Sequence, residues 1–494
     1  MAQTFEINTV KTSGKPLPVV GIGASAGGLD AYKHFLKAIP ENSGMAYILV
    51  QHLDPTHESK LPEILAKQTA IPVLEITDNI SLAADHIYIL PSNKLLLATD
   101  GVLKLSPRPP EEAISQPIDY FFKSLAEVHE NQAVGIVLSG SGTDGTLGLK
   151  AIKDAGGITF AQDQQSAAFD GMPQSAIDAG VVDFVLSPGE MPTQLLQMNL
   201  PKHIEKVEMI ETAARPPIDE EIFNQILSLL RIHRQVDFSY YKKNTLRRRI
   251  ARRIAINKKE DLTAYLNYLK DNKTELDLLF HDVLIPVTAF FRDTATFESL
   301  RNRVFPEIIK GKRSAEPLRI WVTACSTGEE AYSIAISLCE FLGDNASGIK
   351  IQLFGTDISE KAIVAARRGV YKKIQLEGVS DSRLQQFFKK LDSHYQVQKT
   401  VRDMIVFAGH NMLKDPPFAK LDLISCRNVL IYMEPFLQKK AIATFHYSLN
   451  EKGFLVLGKS ETTGGQADLF KTIDKIEKIY LKKDVAGRFV QPAA

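Results

Sequence analysis

Short apolar runs rich in β-branched residues alternate with amphipathic stretches over residues 17–198. Because strands that alternate with helices usually form a mainly parallel sheet covered by helices, this pattern predicts an α/β domain. The predicted strands are residues 19–22, 47–50, 87–90, 134–138, 158–161 and 181–185.

The pattern changes twice further along the chain. Residues 199–219 lose periodicity and contain Arg215-Pro216-Pro217, which predicts a linker. From 220 to 312 leucine and isoleucine recur at helical spacing, and the first strand-like run is 283–285, so a small helical domain is expected. Alternation of strands and helices resumes over 313–484. The predicted strands there are residues 319–322, 351–355, 404–407, 421–425 and 454–457.

The predicted fold class is therefore α/β, with two doubly wound, mainly parallel-sheet domains joined through a small all-helical domain. Residues 1–16 and 485–494 are expected to be flexible termini. A net charge of +1 over 494 residues gives no general attraction to nucleic acid or to an anionic membrane. No apolar run approaches the ~18 residues that cross a bilayer. Three scattered cysteines predict neither a disulfide framework nor a metal site, so a cytoplasmic protein is expected.

Residues 21–28 read GIGASAGG directly after the first strand, and this octapeptide suits two chemistries. As G-x-G-x-x-A it is a dinucleotide fingerprint, whereas as a glycine-flanked serine it is a nucleophile turn. A dinucleotide domain needs an acidic residue at the end of the second strand, but Gln51-His52 follows that strand. Histidine is what a serine nucleophile needs, and adjacent parallel strands bring their carboxyl ends together. The sequence therefore favours Ser25 as a nucleophile.

A third strand runs into the glycine-rich segment Ser139–Asp144, which supplies a carboxylate on the same rim of the sheet. Ser25, His52 and Asp144 form a candidate triad of nucleophile, general base and orienting carboxylate. The backbone amide of Ala26 is a candidate for the oxyanion hole. The alternative is that the glycine-rich loops are only tight turns and that Asp144 only caps a helix.

Residues 17–195 resemble the chemotaxis protein-glutamate methylesterase family, the CheB type. The resemblance implies hydrolysis of glutamate methyl esters on receptors, with glutamine deamidation as a further activity, and it assigns the family's triad to Ser25, His52 and Asp144. Ala26 stands where the family usually has threonine, and Ser141 where it often has methionine. Since the family's N-terminal receiver domain is missing, control by phosphorylation in cis is not expected. The motifs are GIGASAGG (21–28), VQH (50–52), YILP (88–91), LLL (95–97), LSGSGTDG (138–145), QD (162–163) and GMP (171–173).

The second α/β domain has its own candidate site after the strand at 319–322. Glu329 and Glu330 begin the following helix, where they would repel a phosphate and suit a cationic or zwitterionic ligand. Asp357 ends the next strand, where ribose hydroxyls lie in a Rossmann-like sheet. S-adenosylmethionine meets both requirements. The alternative is that the two glutamates only complement the helix dipole.

Residues 220–482 resemble the chemotaxis receptor methyltransferase family, the CheR type. The motifs are VTAFFRD (287–293), VTACSTGEEAYS (322–333), FGTDI (354–358), HNML (410–413) and ISCRNVLIY (424–432). The resemblance implies that Arg292 and Tyr432 lie nearest the transferred methyl group, and Pro286 replaces an asparagine often found there. A glutamate acceptor, with an ordinary pKa of about 4.3, is already ionised at neutral pH, so alignment rather than general base catalysis is expected. The residues implied to line the cofactor pocket are Thr288, Arg292, Glu329, Asp357, Asn411, Met412, Arg427 and Asn428.

Residues 242–253 carry seven positive charges, with Leu246, Ile250 and Ile254 at a spacing of four. This pattern predicts a helix with one buried face and an otherwise cationic surface. A phosphate backbone or simple solvation would each suit such a face, but no nucleic-acid motif accompanies it. The resemblance implies docking on an acidic helical segment of a methyl-accepting chemotaxis-type receptor. It also implies that residues 371–405 form a small β-subdomain used for receptor tethering.

The sequence thus predicts a bifunctional adaptation enzyme, an esterase fused to a methyltransferase. Two alternatives remain open, a signalling scaffold with one or both domains catalytically degenerate and a dinucleotide oxidoreductase. Cys325 and Cys426 are expected to be small apolar fillers rather than nucleophiles. Because opposed activities on one chain would cycle methyl groups wastefully, a restraint of one domain by the other is also expected.

Overall fold

The computed structural model describes residues 17–51, 60–99, 101–107, 116–198, 217–285, 287–310, 312, 316–343, 349–466 and 468–485. The predicted base His52 and the substituted position Pro286 lie outside these residues. The chain divides into two compact units. The first holds the chain up to Gln235 together with Leu246–Leu279, and the second holds Val236–Thr245 and the chain from Phe280 onward.

The first unit is built around a sheet of seven parallel strands. Their order across the sheet is Phe184–Leu186, Ile158–Gln162, Ala133–Val137, Val19–Ala24, Ala46–Gln51, His86–Ile89 and Val73–Glu75. In chain order the strands are β1 (Val19–Ala24), β2 (Ala46–Gln51), β3 (Val73–Glu75), β4 (Ile80–Ser81), β5 (His86–Ile89), β6 (Lys94–Thr99), β7 (Val102–Pro107), β8 (Ala133–Val137), β9 (Ile158–Gln162) and β10 (Phe184–Leu186). Strands β4, β7 and β6 form a separate antiparallel sheet.

Helices cover both faces of the parallel sheet. They are α1 (Gly28–Lys37), α2 (Leu61–Ala66), α3 (Pro117–His129), α4 (Thr146–Ala155), α5 (Gly171–Asp178) and α6 (Met191–Gln197). Alternate residues of β2 belong to two different apolar clusters, since Tyr47 and Leu49 lie in one and Ile48 and Val50 in the other. Both faces of the strand are therefore buried, which is why the sequence shows it as a continuous apolar run.

All six strands predicted for this unit are confirmed, although the last begins only at Phe184. Strand β3 and the small antiparallel sheet were not predicted. Strand β3 has three residues and lies at the sheet edge, where two of them are exposed, so it lacks an apolar run. Because β2 and β8 lie on opposite sides of β1, the strand order reverses there. This reversal creates a crevice at the carboxyl ends of β1 and β8.

The expected helical segment follows as α7 (Pro217–Arg234), α8 (Lys243–Ile256), α9 (Leu262–Asp271) and α10 (Lys273–Leu284). Within the strand-like run at 283–285, Val283 and Leu284 are instead the end of α10, and Ile285 follows the helix with a left-handed φ of 47°. Among the described residues, no helix is both long and apolar enough to cross a membrane.

The arginines of α8 contradict the expectation of a freely cationic helix surface. Arg252 is only 4% exposed; its Nε donates to the Gly157 carbonyl at 2.9 Å and its Nη2 pairs with Asp183. Arg249 is also buried, and it donates to the carbonyls of Lys153 and Asp154 in the last turn of α4. A guanidinium offers five donors, so it can satisfy carbonyls that a helix end leaves open.

The remaining arginines of α8 also have partners within the first unit. Arg253 bonds to Glu275 through two nitrogens. Arg247 pairs with Glu220, and Arg248 pairs with Glu130. On the apolar side of the helix, Ala255 belongs to a hydrophobic cluster of the parallel sheet. The five arginines therefore attach α8 to its own chain.

The second unit contains a seven-stranded sheet. The order of strands across it is Ile405–Gly409, Ile351–Asp357, Leu318–Thr323, Leu421–Cys426, Leu449–Leu457, Ile479–Lys482 and Phe470–Asp474. Its strands are β11 (Leu318–Thr323), β12 (Ile351–Asp357), β13 (Val370–Lys372), β14 (Phe388–Leu391), β15 (His394–Val397), β16 (Ile405–Gly409), β17 (Leu421–Cys426), β18 (Leu449–Leu457), β19 (Phe470–Asp474) and β20 (Ile479–Lys482). Its helices are α11 (Thr294–Ser299), α12 (Phe305–Lys310), α13 (Glu329–Leu342), α14 (Glu360–Arg368), α15 (Asp381–Phe387), α16 (Lys399–Arg402) and α17 (Pro435–Ser448).

All five strands predicted for this unit are confirmed and are parallel to one another. The antiparallel hairpin β19-β20 was not predicted. Strands β13, β15 and β14 form a three-stranded antiparallel sheet within 370–397, as the small β-subdomain requires. Since β12 and β17 flank β11, the strand order reverses at β11 and leaves a second crevice at the carboxyl ends of these strands.

We expect Arg252→Ala to destabilise the first unit by about 3 kcal/mol, because it removes the guanidinium from the buried Asp183 carboxylate and leaves it with Lys153 and with the N–H and hydroxyl of Thr159. Burial raises the pKa of Asp183, but the charges of Arg252 and Lys153 outweigh this and lower it overall. The stabilisation is therefore present at neutral pH and is lost as the pH falls through the lowered pKa.

Hydrogen exchange of β9, β10 and α8 measures this effect at neutral pH and below about pH 4. Arg248→Ala is the matched control, because its ion pair with Glu130 is partly exposed and should contribute less than about 1 kcal/mol. Equal protection in the two variants would contradict the assigned role of Arg252.

Candidate active sites

Ser25 is the first residue after β1 and lies at the crevice of the first sheet. Its N–H donates to the Ser139 carbonyl at 2.9 Å, and its own carbonyl accepts from Gly28 at the start of α1 at 2.9 Å. Gly27 between them has a φ of 73°, and a Cβ there would lie 2.7 Å from the Ser139 Oγ. The turn therefore requires glycine and holds a half-buried serine between a strand and a helix.

Ser139 fastens this turn to two neighbouring segments. Its hydroxyl donates to the Ala26 carbonyl at 2.8 Å and accepts from the Phe169 N–H at 3.0 Å. The adjacent Gly140 approaches Ser25 so closely that an added Cβ would lie 3.0 Å from the Ser25 Cβ. Ser139 and Phe169 were missed as site-shaping residues, although Ser139 stood within a motif that the sequence singled out.

Asp144 is 4% exposed and lies on the loop after β8. Its carboxylate accepts N–H groups from Ile118 at 3.0 Å and from Asp119 and Gly145 at 2.9 Å, so it caps the first turn of α3. The capping alternative is thus present in the structure. It is compatible with a catalytic role, because a carboxylate has about four lone-pair sites.

The third member of the candidate triad, His52, falls outside the described residues. The described chain does fix the register just before it. Ala24 of β1 lies opposite Gln51 of β2 in the parallel pairing. The residues that precede positions 25 and 52 are therefore neighbours at the same edge of the sheet.

The second unit has two adjoining cavities at the carboxyl ends of β11, β12 and β17. They share Ala324, Asp357 and Tyr432. The first is also lined by the predicted residues Thr288, Arg292, Arg427 and Asn428, and the second by Asn411 and Met412. The structure thus brings together every predicted pocket residue except Glu329.

Glu330 lines the first cavity, whereas Glu329 does not. Glu329 is 3% exposed, and its carboxylate accepts the Thr327 hydroxyl at 2.7 Å. Successive residues of an α-helix point about 100° apart, so only one of two adjacent glutamates can face a given cavity. The sequence identified the acidic first turn of α13 but not which carboxylate faces inward.

Arg427 is held by carboxylates. Its Nη2 donates to the Asp293 Oδ2 at 2.7 Å and to the Arg292 carbonyl at 2.9 Å, while its Nη1 lies 3.4 Å from the Glu330 Oε2. Arg292 differs, because its guanidinium donates to the Val287 carbonyl at 3.2 Å and pairs with no carboxylate of the described chain. Arg292 is therefore a cation of this cavity that has no carboxylate partner among the described residues.

Asp357 ends β12 and accepts N–H groups from Ser326 at 2.9 Å and from Ser359 at 2.8 Å. Burial raises the pKa of this carboxyl, although those backbone bonds oppose the shift. In the facing turn, Ala324 and Ser326 have φ values of 49° and 48°. Left-handed backbone at two non-glycine residues is strained, and such strain concentrates at functional sites.

Both cysteines near the cavities are buried, and burial is the main cause that raises the pKa of the Cys325 and Cys426 thiols well above the ordinary value. They therefore stay protonated at neutral pH, which agrees with the expectation of small apolar fillers.

The fold and these sites define a two-part α/β enzyme, with a serine turn in one sheet crevice and a cavity with balanced charge in the other. Comparison with known families agrees. The CheB methylesterase family matches residues 20–195, the all-alpha domain of CheR methyltransferase matches 221–284, and the CheR methyltransferase SAM binding domain matches 286–479.

Several proteins are similar to this chain. Chemotaxis protein methyltransferase 1 of Pseudomonas aeruginosa is 35% identical over 191 residues, which are 38% of this chain and 69% of that protein. An uncharacterized 104.1 kDa protein of Rhodobacter capsulatus is 33% identical over 438 residues, 85% of this chain and 46% of its own. This chain thus spans about half the length of that relative. The CheB methylesterase catalytic domain of Thermotoga maritima is 27% identical, with a TM-score of 0.35, covering 37% of this chain and 98% of that domain.

The chain belongs to the chemotaxis protein methyltransferase family, and it joins a CheB-type methylesterase domain to a CheR-type methyltransferase domain. The cofactor of the second domain is S-adenosylmethionine. The cavity residues fit this group. The buried Ser326 hydroxyl lines the cavity and has no hydrogen-bond partner among the described residues, and the lining also includes the carboxyl groups of Glu330 and Asp357 and the guanidinium groups of Arg292 and Arg427.

We expect Ser139→Ala to loosen the turn around Ser25, because it leaves the Phe169 N–H and the Ala26 carbonyl without their partner. The loss of these bonds should lower the free energy of unfolding by about 1–3 kcal/mol. Hydrogen exchange at residues 25–28 and 169–172 measures the change. Ser141→Ala, at an exposed position of the same loop, is the control and should leave exchange unaltered. Equal exchange in both variants would rule out the bridging role.

Proposed function

We propose that the chain is a bifunctional enzyme of sensory adaptation that acts in the cytoplasm on a methyl-accepting chemotaxis-type receptor. The first domain hydrolyses receptor glutamate methyl esters and also deamidates glutamine. The second domain methylates receptor glutamates from S-adenosylmethionine.

Hydrolysis in the first domain begins when the Ser25 Oγ attacks the ester carbonyl carbon and His52 takes the hydroxyl proton. Methoxide leaves as methanol with that proton, and water then releases the glutamate carboxylate from the acyl-enzyme. Asp144 holds the imidazole, and the Ala26 N–H stabilises the oxyanion. The observation that supports this reading is the register of β1 and β2, which makes the residues before positions 25 and 52 neighbours.

Transfer in the second domain rests chiefly on Arg292, the cavity cation that pairs with no carboxylate in the described chain. S-adenosylmethionine supplies the methyl group. Arg292 binds the acceptor carboxylate and, with Tyr432, orients it; Asp357 accepts hydrogen bonds from the ribose hydroxyls. Thr288, Asn411, Met412, Arg427 and Asn428 complete the pocket. No general base is needed, because the acceptor is ionised at neutral pH.

Ser25→Ala should reduce methanol release from a methylated receptor fragment by a factor on the order of 10⁴ or more, because it removes the nucleophile. Methanol is measured by gas chromatography, with Ser228→Ala on α7 as the matched serine control. Methanol release at the wild-type rate by Ser25→Ala would exclude the triad. If the unaltered chain releases no methanol, the first domain is a degenerate module, as the scaffold alternative holds.

Asp357→Asn should weaken S-adenosylmethionine binding by about 10- to 100-fold in calorimetry, because an ionised acceptor is replaced by a neutral one. Since the pKa of Asp357 is raised, acidification removes its charge at a higher pH than for an ordinary aspartate. The affinity of the wild type should therefore begin to fall at a higher pH than an ordinary aspartate would give, and that of Asp357→Asn should change less.

Asp381→Asn, at an exposed position that begins α15, is the control for this measurement. An unchanged affinity in Asp357→Asn would remove this carboxylate from the pocket.

A further inference from the structure

Five backbone N–H groups converge on the buried carboxylate of Glu461. This residue is 3% exposed and follows β18 by four positions. The donors are Asn428, Val429, Leu430, Ile431 and Gly458, at distances of 2.6–3.3 Å. A carboxylate has about four lone-pair sites, so these bonds occupy its acceptor capacity.

The loop that Glu461 holds forms one wall of the cavities. Asn428, Val429 and Tyr432 line them, although Glu461 itself does not. Leu430–Tyr432 is a short 3₁₀ turn, and the first N–H groups of such a turn have no acceptor within it. The Glu461 carboxylate supplies that acceptor from a segment about thirty residues away in sequence.

Close packing leaves this arrangement little freedom. Asn428 has a left-handed φ of 59°, and a Cβ at Gly458 would lie 2.8 Å from both the Asn428 nitrogen and the Glu461 Oε2. The loop therefore has few alternative paths while the carboxylate is in place. Without it, several buried N–H groups lose their partner, and the backbone must move to reach another.

We propose that Glu461 is a positioning residue for methyl transfer. Its carboxylate fixes the backbone of 428–431 and thereby sets where the Asn428 and Tyr432 side chains stand in the cavity. This inference rests on the proposed cofactor pocket. It adds to that pocket a residue that touches neither the cofactor nor the acceptor.

Glutamine and alanine at position 461 test this role in the full chain. Glu461→Gln keeps one acceptor oxygen but turns an NH₂ group toward backbone donors, and Glu461→Ala removes every acceptor. The matched control is Asp422→Asn, a buried acid that bonds to the Arg319 N–H at 2.9 Å and pairs with Lys312. Asp422 is the second residue of β17, at the amino end of the strand, and does not line either cavity.

Thermal unfolding is recorded first, and binding is measured at a temperature where each variant is folded. We expect both Glu461→Gln and Asp422→Asn to lower Tm. Only Glu461→Gln should raise the Kd for S-adenosylmethionine, by about tenfold, and lower kcat for methyl transfer in addition. Glu461→Ala should raise the Kd and lower kcat further than Glu461→Gln does. If Glu461→Ala does not fold, Glu461→Asp, which keeps a carboxylate on a shorter side chain, takes its place. Its Kd and kcat should lie between those of the wild type and those of Glu461→Gln.

Wild-type Kd and kcat in Glu461→Gln, or equal losses in Asp422→Asn, would overturn the positioning role and leave only a structural one. Asp357→Asn separates this failure from failure of the pocket. If Asp357→Asn weakens binding and Glu461→Gln does not, the positioning inference alone is wrong. If neither weakens binding, the pocket assignment is wrong and the inference falls with it.

Discussion

Bonds from backbone N–H groups to buried carboxylates hold the loops at the carboxyl ends of the parallel strands. Asp144 accepts three such bonds, Asp357 accepts two and Glu461 accepts five. Neither a strand ladder nor a helix supplies acceptors for these donors, so the carboxylates satisfy them. A charge-assisted bond is stronger than a neutral one, so one carboxylate can keep several strained residues in place. The geometry of both crevices depends on these bonds between backbone N–H groups and buried carboxylates.

At the carboxyl ends of helices, guanidinium groups donate hydrogen bonds to backbone carbonyl groups. Arg249 binds carbonyls in the last turn of α4, and Arg252 binds the Gly157 carbonyl together with Asp183. Helix α8 is therefore attached to the first unit by charged groups as well as by apolar ones. This explains why most of the family's all-alpha segment, Leu246–Leu279, groups with the esterase-type sheet rather than with the residues that follow it.

The sequence predicted the two sheets well, because strands buried on both faces appear as continuous apolar runs. Most of the cavity lining was implied by the resemblance to the methyltransferase family, and Asp357 was also expected from its place at the end of a strand. What it could not predict depends on contacts between distant segments. An arginine run looks the same whether solvent or a carboxylate 69 residues away satisfies it, as for Arg252 and Asp183. Likewise, nothing local distinguishes Glu330 from Glu329, or marks Glu461 as the acceptor for a loop 30 residues earlier.

The two proposed reactions place different demands on these carboxylates. Ester hydrolysis needs a serine made nucleophilic at neutral pH, so in the proposed reaction Asp144 acts through a histidine in addition to capping α3. Methyl transfer to an ionised glutamate needs no proton acceptor, and alignment supplies most of the catalysis. A carboxylate that serves alignment need not reach the substrate. Glu461 meets this requirement because it acts only through the backbone of residues 428–431. It is a buried acid that lines neither cavity, yet it determines the course of a loop that lines them.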